Sequence, residues 1–502
     1  MPYEPTDAFD SYVWEAHELT SSWSLRVLPF VAFFVGWIAA DDWIGGLAGL
    51  SLWLAWRLLL IDGAPPVLFW AFAFEWMQAT IGLFYSGLTG RILPTMVLSD
   101  YRPMVLLGLG CVMALAIGLR SGVALHRWVH GQRRRTADPP PTHVLLSWRF
   151  LITTYVAMLG LNGTLLTIAG QYPELTQPLF ALTAIRLGLL LLIFRRLVRP
   201  QFRTAWFVAI LGLEVALGAS GFFASFREPL MLAAIAMFEQ FDRRRASHWV
   251  AVAGIAAASL TAGVVWIGVQ KNYRADYAAL GSRVARLERL GQLTALWWDQ
   301  NQGDPGATMD ALVGRLWAVY YPALAIARVP EVLPHTNGAL LEAAVMAALE
   351  PRIFFPNKPP LPSDSDLVRK YSGVYVAGPE SNTSIAFGYA AESYIDFGVP
   401  WMFAPSLVFG LLMGIAFSWF LTVIRHIELS TALVTVVYWL SLYLFERSWA
   451  FMIGQAGTMI LYLGGVTLFV DRYLFARLVA RGDLVEVPPE GTGAFHSQGP
   501  LY

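Results

Sequence analysis

Five cations in this chain stand apart from its basic loops, in settings suited to holding an anion. Arg227 lies in Ala224-Ser-Phe-Arg-Glu-Pro229, and Arg315 in Gly314-Arg-Leu-Trp-Ala-Val-Tyr-Tyr-Pro322. Arg352 and Lys358 flank the centre of Pro351-Arg-Ile-Phe-Phe-Pro-Asn-Lys-Pro-Pro360, and Arg447 lies in Phe445-Glu-Arg-Ser-Trp449. Guanidinium forks match phosphate oxygens in a bidentate way, and a diphosphate offers several such edges. Taken singly, each has a plainer reading: an ion pair with a neighbour such as Glu228, a snorkelling side chain, or a lipid-phosphate contact. Carboxylates follow in Glu380 and in Ala391-Glu-Ser-Tyr-Ile-Asp-Phe-Gly398. Glu392 and Asp396 are four apart, so on a helix they share a face beside Tyr394 and Phe397. A partly desolvated Glu392 would deprotonate an attacking hydroxyl. Asp396 reads more readily as a helix-end charge or a partner for an arginine. His335 is a lone loop histidine, a further candidate base whose plain reading is solvation. Glu75 and Glu214, inside apolar runs, are assigned structural or lumen-lining roles.

The elements that must position these groups are apolar helices. The chain has 502 residues, 56% hydrophobic and only 14% charged, with 20 Trp and 31 Phe. A soluble protein carries about 25% charged residues, so this is the composition of a polytopic membrane protein. Apolar runs at 27–40, 43–60, 65–87, 102–119, 145–169, 174–194, 205–222, 229–238, 248–269, 401–424, 430–446 and 451–470 predict about twelve spanning helices. The first run and 229–238 are short enough to be tilted, broken or re-entrant. Net charge is zero, so no global field suggests a nucleic acid as partner. Cys111, the single cysteine, permits no internal disulfide and no metal-site spacing. No zinc pattern, phosphate loop, nucleophile elbow or dinucleotide fingerprint appears, and no metal or cofactor is expected. Gly45, Gly46 and Gly49 are read as helix-packing positions. The residues before the first run are acidic, with no basic stretch, so a cleaved signal peptide is not expected.

Arginines sort the connections by side. Arg120, Arg127 and Arg133 to Arg135 crowd one, Arg195, Arg196, Arg199 and Arg203 a second, and Arg243 to Arg245 a third, while Arg472, Arg477 and Arg481 follow the last run. All fall on one side, which the positive-inside rule makes cytoplasmic. The organisation is then a cytoplasmic segment 1–26, a transmembrane bundle 27–269, a large extracytoplasmic loop 270–400, further transmembrane helices 401–470, and a partly disordered cytoplasmic tail 471–502. Within the loop, Leu280, Val284, Leu287, Leu290 and Leu293 recur at helical spacing among Arg283, Arg286 and Arg289. They predict an amphipathic helix, lying in the lipid interface or packed on the protein itself. The stretches 312–327 and 339–349 are read as short apolar helices dipping back toward the membrane.

With Ser225-Phe-Arg227 opening a span, Pro351-Arg352 before Pro356-Asn-Lys-Pro359, and the segment from Asn382-Thr to Gly398 entering a span, the chain resembles the O-antigen and exopolysaccharide repeat-unit polymerases, the Wzy-like group. The likeness covers roughly 145–470, and the early spans match nothing in it. It implies an all-α membrane glycosyltransferase of the GT-C kind in a bacterial inner membrane, with both termini cytoplasmic and the loop periplasmic. Its substrates would be polyprenyl-diphosphate-linked oligosaccharides, with a chain-length regulator as a protein partner. Arg227 and Arg352 would hold the diphosphate, Arg315, Lys358 and Arg447 would assist, and Tyr321 and Asp396 would help bind substrate. Trp317, Tyr320, Tyr321, Tyr371 and Tyr375 would stack on sugars or form an interfacial belt. The rival readings are an O-antigen ligase, which uses the same donor, a flippase for lipid-linked glycans, and a non-catalytic subunit of an assembly complex.

Overall fold

In a computed structural model, residues 22–131, 144–172, 175–198, 203–221, 226–241, 245–300, 305–350, 355, 361–381, 383–474 and 484–486 are described. The described chain is helical apart from one short antiparallel pairing, Val144–Leu146 with Leu484–Glu486. The first half runs α1 (Ser22–Ala40), α2 (Trp43–Leu59), α3 (Val67–Thr89), α4 (Tyr101–Gly131), α5 (Trp148–Gln171), α6 (Thr176–Val198), α7 (Thr204–Ala219), α8 (Arg227–Glu239) and α9 (Ala246–Asp276). The polar excursion contributes α10 (Arg283–Gln300), α11 (Pro305–Leu316), α12 (Tyr320–Arg328), α13 (Ala339–Leu349), α14 (Asp364–Ser372) and α15 (Tyr389–Phe397). Then come α16 (Phe403–Val423), α17 (Ile427–Leu442) and α18 (Trp449–Leu474).

Each of the twelve apolar runs forms a helix. Among the described residues, seven helices are long and apolar enough to cross a membrane: α3, α4, α5, α6, α9, α16 and α18. α1, α2, α7 and α17 are apolar but shorter. α8, with 13 residues, rises only about 20 Å and begins at Arg227. It is nonetheless central, with Leu230, Leu232, Ala233, Ile235, Ala236 and Met237 buried.

Lipid offers helices no hydrophobic drive to associate, so close packing of small residues must hold them. α4 and α16 cross on two glycine pairs four apart. A Cβ on Gly118 would lie 2.2 Å from the Leu407 carbonyl oxygen, and one on Gly122 2.1 Å from that of Leu411. Gly410 and Gly414 meet the Leu115 and Leu119 carbonyls in return. The reading of Gly45 and Gly49 as packing positions holds, since both abut α1 at backbone distance from Gly36 and Ala32.

Contacts between helix ends define two poles. At one, Arg196 pairs with Glu428, the amides of Arg425 and His426 donate to Asp471, and Arg127 donates to the Asp62 carbonyl. At the other, Arg315 meets Glu446, Arg227 meets Tyr443, and Arg102 pairs with Asp42. Arg127 and Arg196, from two of the basic stretches named in the sequence, fall at the first pole. One correction concerns Arg195 and Arg196, counted there as loop charges. Both lie within α6. Arg195 is fully buried and makes a two-pronged pair with Glu239 of α8 (2.6 and 2.7 Å), while also donating to Thr431 and Thr435 of α17. A buried arginine needs such partners, and with its charge satisfied inside the bundle it says little about which side faces the cytoplasm. Arg133 to Arg135, Arg199, Arg243, Arg244, Arg477 and Arg481 lie outside the described residues.

α10 resolves the two readings of the amphipathic stretch. Its Leu290, Leu293 and Trp297 pack on Val269 and Tyr273 of α9, Arg289 pairs with Asp276 (2.8 Å), and Arg286 covers the Tyr277 ring (4.1 Å). Val284, Leu287, Leu296 and Trp298 stay exposed. One face therefore packs on the protein and a second apolar face does not.

Candidate functional site

The site is built on the short connection 443–448 between α17 and α18. α3 presents polar side chains one turn apart, Glu75 and Gln78, in an otherwise apolar helix. The Phe445 amide donates to Gln78 Oε1 (2.8 Å), and the Tyr389 hydroxyl to Glu75 Oε2 (2.8 Å). From α15, Glu392 Oε2 accepts the Trp449 amide (2.7 Å), and Ser393 accepts the Trp449 indole N–H (2.9 Å). Gly388 has φ +92, and a Cβ there would fall 2.3 Å from the Phe445 carbonyl oxygen. The connection is thus fixed from both sides, and Glu446 and Arg447 project from a rigid base.

Three of the five cations singled out in sequence meet here. The Arg447 guanidinium lies over the rings of Tyr443 (4.8 Å) and Phe451 (4.6 Å) and donates to the Leu440 carbonyl. Arg227 lies over the same Tyr443 ring at 5.0 Å. Both guanidinium carbons are therefore within 5.0 Å of one ring centre, and their separation is at most about twice that. Arg315 of α11 reaches Glu446 (3.1 Å), and Glu446 also acts electrostatically on Arg227. Arg274, near the end of α9, feels the charge of Arg315. Tyr321 stands beside Tyr320 and near Arg315.

Rings hold Arg227 and Arg447, whereas Arg315 is held by the Glu446 carboxylate. Arg227 and Glu228 are 3.6 Å apart, beyond a good hydrogen bond, and the Arg227 side chain is 44% exposed. Arg315 is 60% exposed, and a pair that open contributes roughly 0.2–1 kcal/mol. Burial beside another cation pulls the Arg447 pKa down. The result is two guanidiniums positioned by stacking on Tyr443 and a third tethered to Glu446 by one exposed bond. Such a cluster is suited to a phosphate ligand.

The carboxylates behave differently from one another. Glu392 is 4% exposed, and burial pushes its pKa up to about 8 against the pull of the Trp449 amide, with Asp364 and Asp396 adding to the rise. At neutral pH it is mainly protonated, so it is poorly suited to the base role expected of it. Asp364, which sequence reasoning missed, bonds Ser384 (3.2 Å) and Ser448, and burial raises its pKa. Two carboxyls thus converge on the first turn of α18. Asp396 is a correction as a substrate ligand. It is fully buried and accepts from the Leu340 and Leu341 amides (3.1 and 2.8 Å) and the Thr336 hydroxyl, which makes it the clamp for the start of α13.

Other expectations fall away from the cluster. His335 bonds the Ile395 carbonyl (3.2 Å) and packs on Tyr394. Glu380 is taken by Arg369 and Tyr375. Trp317 and Tyr371 are buried, so neither is free to stack on a sugar, whereas Tyr375 is exposed beneath Arg369. Glu214 takes the Tyr155 hydroxyl and Arg186, the structural one of the two roles considered for it. Arg352 and Lys358 lie outside the described residues. Sequence reasoning also missed Arg274, Tyr443 and Glu446, and undervalued Glu75. The i, i+3 polar pair Glu75 and Gln78 is the signal that would have marked α3 as the floor of the site.

No protein-family model, curated protein or solved structure matches this chain.

Proposed function

We propose that this protein is a membrane glycosyltransferase that polymerises polyprenyl-diphosphate-linked oligosaccharide repeat units, for O-antigen or exopolysaccharide synthesis. The observation that carries the reading is the meeting of Arg227, Arg315 and Arg447 at one pole of an apolar helical bundle, around Tyr443 and Glu446. Such a cluster would hold the donor diphosphate and stabilise the negative charge that grows on it as the glycosidic bond breaks. The acceptor is the non-reducing end of the next lipid-linked unit, and Asp364 rather than the protonated Glu392 would take its proton. In this reading the chain is a GT-C-like protein of about twelve spans, the arginine pole faces the periplasm, and both termini face the cytoplasm. The buried connection favours a transferase over a flippase, since Glu214, Arg195 and Arg196 inside the helices are engaged in ion pairs instead of lining a passage.

Reconstitution tests this. Purified protein in proteoliposomes, given polyprenyl-diphosphate-linked repeat units and no nucleotide sugar, is expected to yield lipid-linked glycans of two or more units. Units that cross the bilayer without growing would sink the polymerase in favour of the flippase. Transfer onto a lipid-core sugar in place of a second unit would favour the ligase.

A further inference from the structure

Two acids flank the arginine cluster: Glu228, 3.6 Å from Arg227, and Glu446, whose bond to Arg315 is single and exposed, Nη1 to Oε2 at 3.1 Å. The connection that carries Glu446 is held on both sides, by Gln78 at the Phe445 amide and by Glu392 at the Trp449 amide, while the Glu446 side chain is 30% exposed and has room to swing away. In the diphosphate reading the cluster would lie at head-group level, where phosphodiester head groups of one negative charge greatly outnumber any lipid diphosphate.

Resting on the diphosphate reading above, we propose that Glu446 is the residue that gives the cluster its specificity: it excludes singly charged phosphodiesters and admits ligands with adjacent, multiply charged phosphates. A single phosphodiester that displaced Glu446 from Arg315 would exchange one anionic contact for another. It would also leave the displaced carboxylate beside a like charge. A diphosphate reaches Arg315 with one phosphate and Arg227 or Arg447 with the other, so it gains contacts that Glu446 alone does not make. Discrimination of this kind comes from a repulsive group set against the abundant competitor. Glu228 stands 3.6 Å from Arg227, too far for a hydrogen bond that an incoming phosphate must displace, and the remaining pairs could not serve so either. Arg195–Glu239 is buried and two-pronged, and Arg196–Glu428 is buried at the opposite pole.

The test uses the full chain in detergent micelles, with farnesyl diphosphate as probe and dioleoylphosphatidylglycerol as competitor, both followed by calorimetry. Wild type is expected to bind farnesyl diphosphate and to resist phosphatidylglycerol. Glu446→Gln should bind farnesyl diphosphate about threefold more tightly and phosphatidylglycerol roughly tenfold more tightly, so that selectivity falls. Arg315→Gln leaves Glu446 in place, and it should weaken farnesyl diphosphate while phosphatidylglycerol stays excluded. Unchanged selectivity in Glu446→Gln overturns the proposal while leaving the diphosphate reading intact, as does an Arg315→Gln protein that admits phosphatidylglycerol. If wild type and Glu446→Gln both fail to bind farnesyl diphosphate, the diphosphate reading itself falls and this proposal with it.

Discussion

Arg447 shows how a charge within an apolar setting is made useful. Its guanidinium is flat and weakly hydrated, so it can lie against Tyr443 and Phe451 while its edge still offers donors. A lysine keeps the charge and loses the plane. Arg447→Lys is therefore expected to lose most polymer synthesis, at least tenfold, at normal protein level. Tyr443→Phe should keep activity and Tyr443→Leu lose it, because the ring and not the hydroxyl carries the two arginines. Activity near wild type in Tyr443→Leu would show that stacking does not position them. Glu392 gives a pH prediction. Its folded pKa of about 8 exceeds the value of 4.5 for a free glutamate, so the folded state holds a proton that the unfolded state has released between those limits. Its contribution to stability is then full below pH 4.5 and is lost as pH rises toward 8. Glu392→Gln can still accept the Trp449 amide, and it should raise the melting temperature at pH 8.5 while changing little at pH 5. An equal shift at both values would mean that the carboxyl does not titrate there. At this scale the sequence showed isolated cations but not their partners. Arg227, Arg315 and Arg447 were legible because an arginine beside an apolar run is costly. Tyr443 and Glu446 were not, because a tyrosine and a glutamate near a helix end look ordinary until the chain brings two arginines to them.

Among the elements, α4 and α16 cross closely through glycines on both helices. A side chain larger than hydrogen at Gly118 or Gly414 must push the helices apart, since carbonyl oxygens lie 2.2 and 2.1 Å from the added Cβ. Gly118→Leu and Gly414→Leu should each destabilise by about 3 kcal/mol or prevent membrane assembly. Gly160→Ala in α5 and Gly254→Ala in α9, where an added Cβ meets nothing within 4 Å, should leave the melting temperature unchanged or slightly raised. The comparison is a thermal melt of the detergent-purified proteins, and equal losses in both groups would contradict the packing account. Apolar period and length made the helices legible, because a run of that kind has no other way to satisfy its backbone in lipid. What stayed hidden was which charges belong to helices. Arg195 and Arg196 look like loop residues beside Arg199, yet α6 continues through them, and their acids come from α8 and α17, far away in sequence. Asp396 was hidden for the same reason, since the amides it caps sit 55 or more residues earlier.

At the scale of the whole molecule, the helix ends separate into two poles, and the account needs the arginine pole to face away from the cytoplasm. A reporter enzyme active only outside the cytoplasm, fused within 301–304, should be active. Activity confined to the cytoplasmic reporter at that point would reverse the orientation. The two-pole division was legible because alternation along the chain dictates it, whichever side is outside. That side rests on arginines in loops, several of which the bundle has drawn inside. The most direct test of the central claim is glycan length in cells lacking this protein, restored with wild type, Arg227→Ala, Arg447→Ala or Arg283→Ala. Arg283 is exposed on α10, with its guanidinium near Gly163 of α5. The expected result is single-repeat material only from the first two variants at normal protein level, with a full ladder from Arg283→Ala. A full ladder from all three would contradict the claim that the arginines around Tyr443 carry the function.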